Sequence, residues 1–172
     1  DGAGATVLEA SNEKGGILSH ITRTDTLDKV WMLRLGKSYH PDRKGDELFI
    51  KMDGHDIYRY ALKTVPLVVK QALDKAGLLL GDVSKILMHQ ANAKMDEAIL
   101  KRLFQLCGVE PVSEGVMPMI IDWAGNSSVA TIPTLLDLLL KEKLEGHRLD
   151  SGDVVVFASV GAGMNINAMV YR

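Results

Sequence analysis

Residues 153–160 read DVVVFASV, apolar at consecutive positions rather than at alternate ones. Such a stretch cannot line a sheet with one wet face, because every second side chain would then meet water. It reads as a central strand, with helices covering the sheet above and below. Length permits this: 172 residues, 47% of them hydrophobic, are enough for one well-buried core in one domain.

The covering helices are legible from spacing. Tyr58, Ala61, Leu62, Val65, Val68, Val69, Ala72, Leu73 and Ala76 recur every three or four residues, and Gly77 follows where a left-handed stop belongs. Pro66 is expected to bend this helix. KILMHQANAKMDEAILKRLFQLCG, residues 85–108, reads as a strand of about four residues running into a second helix, with Met95, Ile99, Arg102, Leu103 and Leu106 on one side and Gly108 as its stop. VMPMII at 116–121 predicts another strand. The stretch WAGNSSVATIPTLLDLLLKEKLEG then predicts a polar loop, serines able to cap, and a buried helix ending in lysines and Gly146. A Gly161 to Gly163 turn returns the chain as MNINAMVY.

At the other end, ATVLEA and ILSHI flank the Gly-rich SNEKGG, which predicts a hairpin. Residues 23–47 lose all periodicity around the turn cluster HPDRKGD and read as an excursion over the surface. The order is mixed α/β, one sheet with helices on both faces.

A net charge of −2 without runs of like charge gives no electrostatic footprint for nucleic acid or an anionic membrane, so neither is an expected partner. No uninterrupted apolar stretch approaches the length of a membrane span, and DGAGATVLEA lacks the order of a signal peptide. A single cysteine, Cys107, with eight methionines fits a reducing compartment, and a cytoplasmic location is expected. The five histidines show no metal-ligand spacing, and DGAGA leads into a strand instead of a helix, the wrong context for a dinucleotide.

Two polar loops sit between a strand and a buried helix: HQAN at 89–92 and GNSS at 125–128. Ligands of open α/β sheets bind at such strand ends. Taken singly, a histidine there is commonly a hydrogen-bonded structural residue, and an asparagine after glycine a turn or cap. Taken together, His89, Asn126 and the Gly161 to Gly163 backbone place three donors at the ends of three strands, which suggests an oxyanion site.

DGAGATVLEA, MDGHDIYRYALKTVP at 52–66, MHQANAKM at 88–95, AGNSSVATIP at 124–133 and GDVVVFASVGAGMN at 152–165 resemble the C-terminal half of the ketoacyl-acyl carrier protein synthase III group of the thiolase superfamily. The resemblance runs nearly end to end, and HQAN followed by GNSS is specific as a pair. It implies a thiolase-like fold: residues 1–172 form one α/β half-unit, a mixed sheet covered by helices, of a duplicated five-layered α/β/α/β/α arrangement. It also implies a Cys-His-Asn site in which a cysteine takes an acyl group from CoA and malonyl-acyl carrier protein is decarboxylated and condensed onto it. His89 and Asn126 carry the last two roles, as neutral donors to the thioester oxygen. The nucleophile is expected on an N-terminal half that precedes Asp1. Cys107, near the end of an amphipathic helix, reads as an inert packed thiol.

By the same resemblance, Ala162 supplies the backbone N–H of the oxyanion hole, Asn92 meets the pantetheine arm, and Gly54, His55 and Tyr58 line its tunnel. MDGHDIY reads equally well as a helix start with Asp53 or Asp56 capping orphan amides. Lys94 replaces an arginine thought to contact the carrier protein, which keeps the charge but loses the planar fork. Val160 replaces a bulkier aromatic, leaving a roomier pocket. No cofactor is expected, CoA and phosphopantetheine thioesters being substrates. The full-length parent is expected to be a homodimer initiating fatty acid synthesis, with this half inactive alone. The alternatives are a long-chain or secondary-metabolite ketosynthase of the same branch, or a non-catalytic thiolase-like partner or binding module.

Overall fold

The computed structural model describes residues 2–12, 14–110 and 115–172; Asp1 of DGAGA and Glu13 of SNEKGG lie outside them. DVVVFASV forms β5 (Val154–Gly161), an interior strand. It pairs in parallel with β4 (Val83–Met88) and antiparallel with β6 (Asn165–Tyr171). The far edge is β1 (Ile17–Thr24), antiparallel to β6, giving the order β1-β6-β5-β4.

Consecutive residues of a strand point to opposite faces, and both faces here are buried. Val154, Val156 and Ala158 of β5, with Ile86 and Met88 of β4, pack with α1 (Gly54–Ala76) and α2 (Ala93–Cys107). Val155, Phe157 and Leu87 point the other way, against Leu135 and Leu139 of α4 (Thr131–Leu140) and Ile120. Each fully buried Val, Leu or Ile among these contributes about 1.5–3 kcal/mol. The mixed α/β, thiolase-like arrangement expected from the sequence is the one found.

α1 presents Ala61, Val65, Val68, Val69, Ala72 and Leu73 to the sheet and runs unbroken through the buried Pro66. It stops at Gly77 in the left-handed region, φ 69°, where the Leu78 N–H closes on the Leu73 carbonyl at 3.1 Å. α2 stops in the same manner at Gly108, but Arg102, expected on its apolar side, is exposed. Ser19 of β1 ties strand to helix, its buried hydroxyl donating to the Ala72 carbonyl at 2.6 Å.

Four expectations change. ATVLEA forms no strand: residues 2–12 lie outside every ladder, with Val7 93% and Leu8 77% exposed. β1 pairs with the end of the chain instead, and the Gly16 N–H donates to the Arg172 carbonyl at 2.7 Å. Gly4 runs so close to α4 that an added Cβ would stand 2.3 Å from Pro133 Cγ. The surface excursion contains a hairpin, β2 (Leu33–Lys37) against β3 (Leu48–Met52), whose alternation LRLGK and LFIKM was masked by the polar turn between them. The helix after GNSS is shorter than expected: α4 begins only at Thr131 and ends at Leu140, short of the lysines and Gly146, while a separate one-turn α3 (Ile121–Ala124) stands before the loop.

The fourth change concerns VMPMII, which is a strap rather than a strand. Its Val116 carbonyl accepts from the Ile86 N–H at 2.8 Å, and Pro118 then lacks the N–H a ladder needs. Gln90, 0% exposed, replaces the missing strand pairing: its Nε2 donates to the Pro118 carbonyl at 2.8 Å and its Oε1 accepts from the Ile120 N–H at 2.9 Å. Gln90→Leu leaves both backbone groups buried without partners, a cost of about 1–3 kcal/mol for each. Denaturant unfolding should show that loss, and a variant as stable as the parent sequence would remove the clamp from this account.

Candidate active site

Because β4 and β5 are parallel, their carboxyl ends lie on the same side of the sheet. β4 runs out into HQAN, with the His89 N–H still donating to the Ala158 carbonyl of β5 at 2.9 Å. β5 runs out into the Gly161 to Gly163 turn. The GNSS loop arrives from α3, and the His89 ring reaches it: Nδ1–H donates to the Ser128 carbonyl at 3.2 Å. The two motifs, 39 residues apart in the chain, are thereby in contact.

Ser128 holds a left-handed backbone, φ 54°, which costs energy in a residue other than glycine. An Asx-type bond secures it, the Ser128 N–H donating to Asn126 Oδ1 at 2.9 Å. The amide oxygen of Asn126 is thus occupied, and its Nδ2 is the end available to donate to a ligand. Ala162 lies exposed on the β5–β6 turn, its carbonyl accepting from Asn165 Nδ2 at 2.6 Å. Gly163, φ 123°, allows that contact, since a Cβ there would fall 2.1 Å from Asn165 Nδ2. Val160 packs against the larger core cluster.

Asn92 is the N-cap of α2, its Oδ1 accepting from the Met95 N–H at 3.3 Å. Lys94 is exposed in the first turn of α2. Gly54, His55 and Tyr58 occupy the exposed start of α1, and among the described residues no hydrogen bond joins them to either polar loop. Asp53 stands at the N-cap of α1 without capping it, its carboxylate accepting instead from Arg34 Nη1 at 3.3 Å. Asp56 pairs at 4.0 Å with Arg59. Cys107 closes α2, and burial raises its thiol, the reverse of what an activated nucleophile needs. Among the described residues no cluster of three His, Cys, Asp or Glu could hold a metal ion.

Two residues at this site escaped the sequence reading. Gln90 was visible in HQAN, but nothing in the sequence told which chain segment it would clamp. Asp96 carried a signal: it stands three residues before Ile99 and seven before Leu103, on the apolar stripe of α2. It is 0% exposed, and burial raises its carboxyl to about 7.

Burial also lowers the ionisation of His89, with the Ser128 carbonyl opposing, so the ring is neutral at physiological pH. The carbonyl can only accept, which puts the proton on Nδ1 and leaves Nε2 as a lone pair. The neutral imidazole in this arrangement is an acceptor at Nε2, where the sequence reading had it donate. The unfolded ring takes up its proton near pH 6.5, so the stability contributed by His89 is present above that pH and lost as pH falls through its lower folded value. Imidazole nitrogen NMR should show the Nδ1–H tautomer and a midpoint below the ordinary histidine value; an ordinary midpoint would mean that the ring is solvated.

Residues 73–172 match the family described as 3-oxoacyl-[acyl-carrier-protein (ACP)] synthase III C terminal. Over 99% of its length the chain is 31% identical to the beta-ketoacyl-[acyl-carrier-protein] synthase III of Prochlorococcus marinus, and over its whole length 32% identical to that of Desulfitobacterium hafniense strain DCB-2. It covers 49% and 50% of those proteins, so it spans about half the length of the curated relatives it matches. The crystal structure of the 3-oxoacyl-[acyl-carrier-protein] synthase III from Aquifex aeolicus superimposes over 95% of this chain and 46% of its own, with a TM-score of 0.72 at 26% identity. The chain belongs to the 3-oxoacyl-[acyl-carrier-protein] synthase III family, in its C-terminal part.

Proposed function

We propose that these 172 residues are the C-terminal domain of a decarboxylating Claisen-condensing enzyme that joins an acyl-CoA primer to malonyl-acyl carrier protein and so starts fatty acid synthesis. The observation that carries the reading is the contact of His89 with the GNSS loop at the carboxyl ends of two parallel strands, beside an asparagine amide held by its oxygen end.

Cleavage of the bond to the malonyl carboxylate releases carbon dioxide and leaves its electron pair on the thioester enolate, with the negative charge on oxygen. Donors fixed in advance at that oxygen lower the barrier. Asn126 Nδ2 and the Ala162 N–H can donate without rearrangement. For His89 to donate from Nε2 the proton must leave Nδ1, giving up a bond that is already long at 3.2 Å. The enolate carbon then attacks the acyl thioester and expels a cysteine thiolate. In this reading that cysteine comes from an N-terminal half, with which the chain pairs, and the domain alone is inactive. Exposed Lys94 suits a contact with an acidic carrier protein, Asn92 and the start of α1 the pantetheine arm, and the whole enzyme is a homodimer. Val160, smaller than an aromatic, widens the acyl pocket.

The test is the mass of the full-length protein after incubation with a panel of acyl-CoAs, followed by malonyl-acyl carrier protein. A single acyl adduct that malonyl-acyl carrier protein consumes is expected. His89→Ala and Asn126→Ala should keep the adduct and slow its consumption by about a hundredfold or more. No adduct with any acyl-CoA would reduce the likeness to one of fold.

A further inference from the structure

Among the described residues, Asp96 is the buried charged side chain whose environment does not match its chemistry. It lies in the first turn of α2, where a carboxylate is normally solvated and faces the orphan amides of the helix start. Here it is fully buried, and among the described residues neither carboxylate oxygen closes a hydrogen bond. The desolvation is only partly offset: the backbone N–H groups of Asn92 and Ala91 favour its anion, while Glu97, next in the helix, disfavours it. α1, packed against α2, sets Lys70 and Asp74 at the opposite end, around Cys107. The groups that bear on Asp96 are therefore Glu97 and the amides of the HQAN turn itself.

That turn has an anchor on each of its other sides. Gln90 fixes it to the strap, the His89 N–H fixes it to β5, and Asn92 fixes it to the helix. The backbone N–H groups of Ala91 and Asn92, the donors that favour its anion, lie where the chain passes from His89 to the helix, one turn before the buried and unpartnered carboxylate. We propose that Asp96 is a positioning residue for His89: when ionised its carboxylate draws in the Ala91 and Asn92 amides, when protonated it releases them, and the turn carries the imidazole with it.

The sign for stability follows from the direction of the shift. The native carboxyl keeps its proton up to about pH 7, whereas the unfolded one, with its ordinary value of 3.8, has already released it. The stability it contributes is fully present below that ordinary value and is lost as pH rises through about 7.

The experiment follows the amide NMR shifts of selectively labelled Ala91 and Asn92 in the full-length protein against pH, together with kcat and KM for the condensation, in the parent sequence, Asp96→Asn and Asp96→Leu. In the parent both amides should titrate with a midpoint near 7, as burial places the carboxyl. Asp96→Asn, which keeps the volume but stays neutral at every pH and so is fixed in the released state, should abolish that step and hold kcat at the value the parent shows below it. Asp96→Leu should lower kcat about tenfold or more with KM for the acyl-CoA little changed, as expected when a reacting group is misplaced by a fraction of an ångström. The proposal is overturned by amides that show no step near neutral pH or a step that survives in Asp96→Asn, or by full kcat in Asp96→Leu. Should Asp96→Leu fail to fold, the Asp96→Asn amide titration decides alone. The kinetic arm rests on the condensing reading and the amide arm does not, so loss of all activity with the Asp96-dependent step intact would sink that reading and leave only the grip of Asp96 on the HQAN turn standing.

Discussion

The parallel pairing of β4 with β5 is the constraint on which the rest depends. Parallel neighbours cannot be joined by a turn, so the chain must cross over between Met88 and Val154. This crossover contains α2, packed on one face of the sheet, and α4, packed on the other. One connection thereby buries both faces of the same two strands, which is why residues 154–158 of DVVVFASV can be apolar at every position. It also fixes the chemistry, because two parallel strands deliver their following loops to one side, and the crossover brings GNSS back to meet HQAN there.

What was legible in the sequence had local causes. The central strand, α1 with Gly77, α2 with Gly108 and the returning β6 each rest on periodicity or a stop residue within their own window. The failures share a different cause. ATVLEA has the composition of a strand, yet β1 takes its register from β6, 141 to 154 residues away, which no hairpin signal near SNEKGG could reveal. VMPMII is apolar enough for a strand, but Pro118 denies it a ladder and a side chain supplies the bonds instead. The β2–β3 hairpin is short, exposed and joined by a long polar turn, so its alternation covered only five residues on each side.

The candidate site was legible in its residue types and not in its proton positions. His89 and Asn126 stand out as polar residues at strand exits, but the direction of each hydrogen bond depends on the partner brought to it. Ser128 presents its carbonyl to His89 because its backbone is left-handed, and it is held there by Asn126 itself. The asparagine thus sets the tautomer of the histidine through one intervening residue. A sequence names both members of that relay without showing the relay.

β4 lies at the rim of the sheet, where an open row of amides and carbonyls is a template for another chain. The Val116–Ile120 strap occupies part of that rim, and it does so with one ladder bond, a proline and a glutamine side chain in place of a further strand. A strap cannot pass the pairing on: Pro118 offers no donor to a neighbour, and its own carbonyl is already taken by Gln90. The clamp that holds the HQAN turn therefore also terminates the sheet, so that the edge nearest the site resists recruiting stray strands during folding.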